Sequence, residues 1–344
     1  EKRRLWRDLE LLKMAIEAKT KKVSEEAQKD FEATYPDLSK MLTLRPHARK
    51  SGGLKGAIRF GAFFLATTLM FPVFIAAFPL RWMHPLLRKL GVRNNRLPYD
   101  FIPRIWAQWA MLVFGIRAKL EGWENARHFA ETGTSTIGLF QHSSFFDFII
   151  VAGSCGLNLK WVSKKSLYKI PMLGQMGYMA GMIPIDRTNL DSAKRSLDHA
   201  AYVAQHYGRP IAIAPEGTRS TNGQLAEFKK GAFHLALKCG VDATPLLLFG
   251  AYHLWPPNTI CPSPGEVTLR FLKPVKTSNY QPDRYNEMLY DVRTDMLNSM
   301  AEPPARITGP TSNAFGLLSA ITVVGTYALT AGISFGIWKL FHMK

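Results

Sequence analysis

The apolar positions of this chain change their spacing along its length. Leu5, Leu9, Leu12 and Ile16 recur at helical spacing in a segment dense in both signs of charge, which predicts an amphipathic helix. From Phe60 to Leu80 the charges disappear (FGAFFLATTLMFPVFIAAFPL), with Lys55 and Arg59 before the run and Arg81, Trp82 and Arg88 after it. Roughly twenty apolar residues with cationic and aromatic flanks have the length and dressing of a bilayer-embedded helix. Pro72 stands in the middle of the run, so a straight span and a re-entrant hairpin with the moderately apolar stretch Phe101 to Ile116 are both open. Near the other end the chain is again uncharged from Ile307 to Trp338. The part from Phe315 onward is long enough to cross a bilayer and closes with Trp338 and Lys339 at the expected interface. Gly332 and Gly336 there form a G-x-x-x-G step, which either lets two helices approach closely or reflects how common glycine is in membrane helices.

Between Glu121 and Pro304 the pattern becomes one of short apolar runs separated by helical stretches. Thr136–Phe140, Leu159–Ser163, Met182–Ile185, Ile211–Ala214, Thr244–Phe249 and Val267–Leu272 read as strands, and Asp191–His206 and Gly231–Cys239 as helices. Such alternation predicts an α/β fold: a largely parallel sheet flanked by helices, with membrane-embedded helices N- and C-terminal to it. The expected organisation is a charged amphipathic region and basic linker over 1–56, a membrane-embedded helical region over 57–118, the α/β domain over 119–305, and a transmembrane helix with a short basic tail over 306–344. Within the first of these, Arg45 to Gly56 (RPHARKSGGLKG) reads either as a juxtamembrane segment against anionic headgroups or as a solvated linker.

Charge narrows the partners. A formal net charge of +18 on 344 residues calls for an acidic partner: nucleic acid, an anionic membrane surface or a phosphorylated ligand. The two apolar runs decide for the membrane, so no nucleic-acid partner is expected. Cys155, Cys239 and Cys261 are widely spaced with no Cys-x-x-Cys pair, which indicates neither a disulfide framework nor a structural zinc site.

Two short strings carry candidate chemistry. In QHSSFFD, His142 follows a predicted strand, and Asp147 stands five residues on. On one ideal helix that separation places two side chains about 140° apart, so the pair meets only if His142 lies in the loop and Asp147 in the first turn of the next helix. Ser143 and Ser144 suit the cap of that helix. A carboxylate beside an imidazole fixes its tautomer and favours the imidazolium, which makes a competent general base. In APEGTRS, which also follows a strand, Arg219 offers a planar fork of donors suited to phosphate, and Gly217 and Thr218 can turn N–H groups and a hydroxyl toward the same anion. Glu216 then orients Arg219 or a backbone turn rather than acting as the base. Alone, E-G-T-R also fits an ordinary turn with a surface salt bridge. GMIPIDR places Arg187 after another strand, and Lys164 and Lys165 add two cations at the same edge.

His142 with Asp147, GMIPIDR, PEGTRS and the apolar-proline strand VDATPLL occur in the order and approximate spacing of the four motifs of the glycerolipid acyltransferases, and the linking text resembles the 1-acyl-sn-glycerol-3-phosphate acyltransferases in particular. The resemblance covers Trp123 to Val275. It implies a membrane-bound transferase moving a fatty acyl group from acyl-CoA to the sn-2 hydroxyl of lysophosphatidic acid. No covalent acyl-enzyme, metal or bound organic cofactor is implied, acyl-CoA being a co-substrate, and the endoplasmic reticulum is the implied location. Carried over by residue, His142 takes the proton and Asp147 holds the imidazole. Glu216, Gly217, Thr218, Arg219 and Arg187 bind the glycerol phosphate, Lys164 or Lys165 contacts a phosphate or the oxyanion, and Pro245 shapes the acyl pocket. The chain departs from the family pattern in carrying Gln141 where asparagine is usual, Ser143 where glutamine is common, bulky Phe145 and Phe146, and Ala243 where a second proline often stands. Other lysophospholipids or dihydroxyacetone phosphate are the alternative acceptors. A thioesterase or lipase is a different class, but no G-x-S-x-G elbow stands in the α/β segment. A non-catalytic basic membrane protein fits the charge but leaves the motif spacing unexplained.

Overall fold

The computed structural model describes residues 53–83, 86, 89–91, 100–257, 259, 262–302 and 304. The expected N-terminal amphipathic helix, most of the Arg45–Gly56 linker, the C-terminal span with Gly332 and Gly336, and Cys261 lie outside the described residues.

The first apolar run forms α1 (Gly53–Ala77), with Pro72 inside it and only Gly56, Thr67, Met70 and Phe74 buried. α2 (Ile102–Phe114) carries a proline in its first turn, where no intrahelical hydrogen bond is lost. The two helices pack together: Trp106 Nε1 donates to Thr67 Oγ1 at 3.1 Å, and the Phe63 ring lies 5.6 Å from Trp106 and 5.0 Å from Phe114. By length and composition α1 is apolar enough to cross a membrane, and only 17% of its most apolar window is buried.

Strands and helices then alternate: β1 (Ile116–Glu121), α3 (Glu124–Thr132), β2 (Ile137–Phe140), α4 (Asp147–Ser154), β3 (Lys160–Lys164), α5 (Leu173–Met179), β4 (Ile183–Ile185), α6 (Leu190–Tyr207), β5 (Ile211–Ile213), α7 (Gly231–Cys239), β6 (Ala243–Phe249), α8 (Ala251–Leu254), β7 (Gly265–Phe271) and α9 (Tyr285–Ala301). The expected strands are all present, shifted at their ends by one or two residues. β1 is additional. Its sequence, IRAKLE, alternates apolar and charged residues, and it sits at the sheet edge with Ile116 and Ala118 buried and Arg117 exposed.

The sheet has seven strands in the order β1-β7-β6-β2-β5-β3-β4. Each neighbouring pair is parallel except β6 with β7. Because successive side chains in a strand point to opposite faces, the apolar positions divide between two cores. Phe140, Trp161, Ala212, Leu246 and Leu248 pack with residues of α1, α2 and α4, whereas Ile137, Leu139, Ile211, Ile213 and Leu247 pack with those of α6, α7 and α9. Fully buried rings such as Phe114, Phe146, Phe233 and Phe271 each contribute about 1.5–3 kcal/mol.

Parallel pairing brings the carboxyl ends of β2, β5, β3 and β4 to one edge, where the crevice of such a sheet lies. The opposite edge is tied by buried charges. Asp100 accepts from Lys160 Nζ at 2.9 Å and from Arg209 Nη1, and Lys160 also donates to the Ala180 carbonyl at 2.9 Å.

Candidate active site

Two loops leave neighbouring strands at the carboxyl edge and are stitched to each other. From β2 the chain runs through Gln141, His142, Ser143 and Ser144 before α4 begins at Asp147. Asp147 is fully buried, and its Oδ2 accepts from His142 Nδ1 at 2.9 Å, Ser143 N–H at 2.6 Å and Ser144 N–H at 2.8 Å. The loop-and-first-turn arrangement expected of the pair is therefore present. The serine caps are not: the direction is reversed, with the acidic side chain accepting from the serine amides. The Ser144 hydroxyl instead donates to the Trp255 carbonyl at 3.0 Å and accepts from Phe146 N–H at 3.1 Å. Burial pushes the Asp147 carboxyl up, while the His142 ring and the two amides pull it down.

From β5 the second loop contributes Glu216, whose carboxylate is buried. Oε1 accepts from His142 N–H at 2.7 Å and Oε2 from Ala226 N–H at 3.0 Å. Ser220 N–H completes the stitch by donating to the His142 carbonyl at 2.8 Å. Of the two jobs open to Glu216, orienting Arg219 or holding a turn, the structure shows the second. Burial raises its carboxyl to about 7 despite the two amides. Gln141 reinforces the join, accepting from Leu248 N–H at 3.3 Å and donating to the Gly223 carbonyl at 3.2 Å.

Cations gather on the outer side of the second loop. Gly217, at a φ of 69°, donates its N–H to the Ala214 carbonyl at 3.1 Å, and its own carbonyl accepts from Arg187 Nη1. Its N–H is thus used within the turn, contrary to the expectation that it faces an anion. Thr218 is exposed. Arg219 is partly buried, which lowers it from its ordinary value, and its Nη1 is buried and meets no acceptor among the described residues. Lys165 pairs with Asp186 at 3.6 Å, and Lys164 is exposed at the end of β3. Lys229, which the motif reading passes over, lies across Gly217: a Cβ there would stand 2.9 Å from its Cδ and 3.3 Å from its Nζ. Lys229 stands ten residues after Arg219, and the local sign of it is the doubled lysine Lys229-Lys230. Pro245 is not brought to this cluster. It is buried in mid-strand opposite Leu139, on the face of Ala243 and Leu247, away from α1 and α2. Among the described residues no three His, Cys, Asp or Glu side chains come together as metal ligands.

The acyltransferase family profile matches residues 117–248, which takes in both loops. A 1-acyl-sn-glycerol-3-phosphate acyltransferase of Limnanthes douglasii is 31% identical over 194 residues, covering 56% of this chain and 67% of that protein. One from Salmonella typhimurium is 33% identical over 175 residues, 50% of this chain and 70% of its own length. The chain belongs to the 1-acyl-sn-glycerol-3-phosphate acyltransferase family. The crystal structure of the PlsC acyltransferase from Thermotoga maritima shares the fold of this family member, with a TM-score of 0.52 at 21% identity over 72% of this chain and 100% of that one. In this acyltransferase every expected motif residue, from His142 to Pro245, falls inside the matched segment.

Proposed function

We propose that this acyltransferase moves a fatty acyl group from acyl-CoA to the sn-2 hydroxyl of lysophosphatidic acid, giving phosphatidic acid and CoA. The observation that carries the reading is the 2.9 Å pair of His142 Nδ1 and Asp147 Oδ2, set on the same sheet edge as Arg219. With Nδ1–H donated to the carboxylate, Nε2 is left to accept the proton of the attacking hydroxyl. The hydroxyl oxygen adds to the thioester carbonyl while His142 takes its proton and Asp147 stabilises the imidazolium. Collapse of the tetrahedral intermediate breaks the carbon–sulfur bond, and the departing thiolate recovers the proton from His142. No acyl-enzyme forms. Arg219 and Arg187 hold the phosphate, with Lys229 beside them, and Lys164 or Lys165 meets a phosphate or the developing oxyanion. The scheme uses neither a metal nor a bound organic cofactor.

Both substrates are polyanionic amphiphiles, which fits a net charge of +18 and a bilayer as the working surface. Leu54, Ile58, Leu65 and Leu69 of α1, each more than half exposed, supply the apolar contact with that bilayer.

The test is acyl transfer by the purified, detergent-solubilised protein from oleoyl-CoA to lysophosphatidic acid and to lysophosphatidylcholine, following free thiol and lipid product. Transfer to lysophosphatidic acid is expected, lost in His142→Ala and raised in KM in Arg219→Ala. Transfer to the choline lipid alone would overturn the acceptor, and CoA release without lipid product would make the protein a hydrolase.

A further inference from the structure

Phe145 stands between the His142 loop and the cation cluster, 41% exposed. Its ring faces Arg219, whose guanidinium carbon lies 3.4 Å from the ring centroid. Behind it the ring meets Trp255, with centroids 4.9 Å apart. The same indole reaches Phe146 at 5.0 Å, Phe114 of α2 at 5.9 Å and Phe60 of α1 at 6.0 Å. Hydrogen bonds follow the same route, because the Trp255 carbonyl accepts from Ser144 Oγ at 3.0 Å and from Phe145 N–H at 3.3 Å. Trp255 Nε1 donates to the Thr259 carbonyl at 3.1 Å, which fixes the rotation of the indole.

Among the described residues Arg219 forms no close ion pair, the Asp147 charge acting on it only from a distance, and its Nη1 is buried without an acceptor. A guanidinium in that condition is oriented by what it stacks on. Cations are attracted to the negative face of an aromatic ring, and arginine adds flat stacking to that attraction. With one face covered by Phe145, an anion is left to approach in the guanidinium plane, along which the N–H bonds point and where two parallel bonds to a phosphate form.

We propose that Phe145 is a positioning residue for the acceptor's phosphomonoester: it sets the plane of Arg219 so that the donor edge meets the phosphate, with Trp255 as its backing. The inference deepens the proposed function and rests on it. It assigns a role to one of the two adjacent phenylalanines of the QHSSFFD string. The Phe145 ring stacks on Arg219 and Trp255, and Arg219 meets Asp147 only through its charge, so the expected effect of losing the ring is on acceptor binding.

A double-mutant cycle tests it. Lysophosphatidic acid is titrated in detergent micelles, without acyl-CoA, against wild type, Phe145→Leu, Arg219→Ala and the double variant, and KM for each substrate is measured alongside. Phe145→Leu is expected to weaken lysophosphatidic acid binding and raise its KM by about 3- to 10-fold, to leave the KM for acyl-CoA unchanged, and to add nothing in the Arg219→Ala background. Phe145→Tyr, which keeps the ring, is expected to restore wild-type binding. Equal weakening by Phe145→Leu in both backgrounds, unchanged binding, or a shift in acyl-CoA KM instead would each overturn the role. Failure of the wild type to acylate lysophosphatidic acid would refute the proposed function, whereas absence of coupling in the binding titration refutes this inference by itself.

Discussion

Replacing Asp147 by asparagine separates the two things its carboxylate does. Oδ2 accepts three hydrogen bonds, from His142 Nδ1, Ser143 N–H and Ser144 N–H, while Oδ1 is buried and meets no donor among the described residues. An asparagine with its oxygen at the Oδ2 position keeps all three bonds and the ring tautomer. Its NH2 group then occupies the Oδ1 position and displaces nothing. What disappears is the charge that stabilises the imidazolium formed during proton transfer. At about 4 Å and an effective dielectric near 20 that attraction is about 4 kcal/mol, and the value of a charge-assisted hydrogen bond sets a floor of about 1.5 kcal/mol. The expected fall in kcat is therefore about 10- to 1,000-fold. Stability should change little, since an unpaired buried NH2 costs about 1–3 kcal/mol and the removal of a fully buried charge offsets it. Asp147→Ala instead strands the two serine amides, at about 2–6 kcal/mol together. The assay is steady-state kcat with oleoyl-CoA and lysophosphatidic acid, beside thermal unfolding of both variants. An Asp147→Asn enzyme with wild-type kcat would refute the use of the charge, and one that melts as early as Asp147→Ala would refute the single-oxygen geometry.

Stability is testable at Glu216, at Gly122 and in the Asp100 cluster of the opposite edge. Glu216 is held near 7, above its ordinary 4.5, so it contributes stability that is full below about pH 4.5 and lost as pH rises through about 7. Over that window unfolding free energy should decline by about 3 kcal/mol, a slope that Glu216→Gln removes in denaturant titrations across pH. Gly122 sits at a φ of 65°, and a Cβ there would overlap the Phe271 carbonyl oxygen. Gly122→Ala should cost about 3 kcal/mol by urea unfolding, and an unchanged midpoint would contradict the turn. Asp100→Asn leaves Lys160 and Arg209 buried around a neutral group, with an expected loss of about 3–5 kcal/mol in the same assay.

What is legible in the sequence follows from burial. β2, β5 and β6 lie in the middle of the sheet and are covered on both faces, so their apolar runs stand out between polar and glycine-containing segments. β1 pairs on one side only and alternates with charge, and that leaves it without the same signal. The His142–Asp147 pair is legible for a different reason: five residues allow contact only across a loop-to-helix junction. The serine hydroxyls at that junction mislead, because the helix opens with Asp147 itself and the carboxylate folds back over the loop.

Long-range placement is another matter, and Glu216 shows why. Local pattern puts it in a phosphate-binding turn, yet a carboxylate there repels an anion unless it faces away. The deciding fact is that β2 and β5 are neighbours in register, Leu139 beside Ile213, although Glu216 and His142 are 74 residues apart in the chain. The loops leaving the two strands must then share one volume, and the amide of His142 needs an acceptor in it. Glu216 turns inward to supply one, which leaves Arg187, Arg219 and Lys229 on the outer side of the turn. The residue that would have opposed the phosphate is thereby the one that joins the loop carrying the base to the loop carrying the cations.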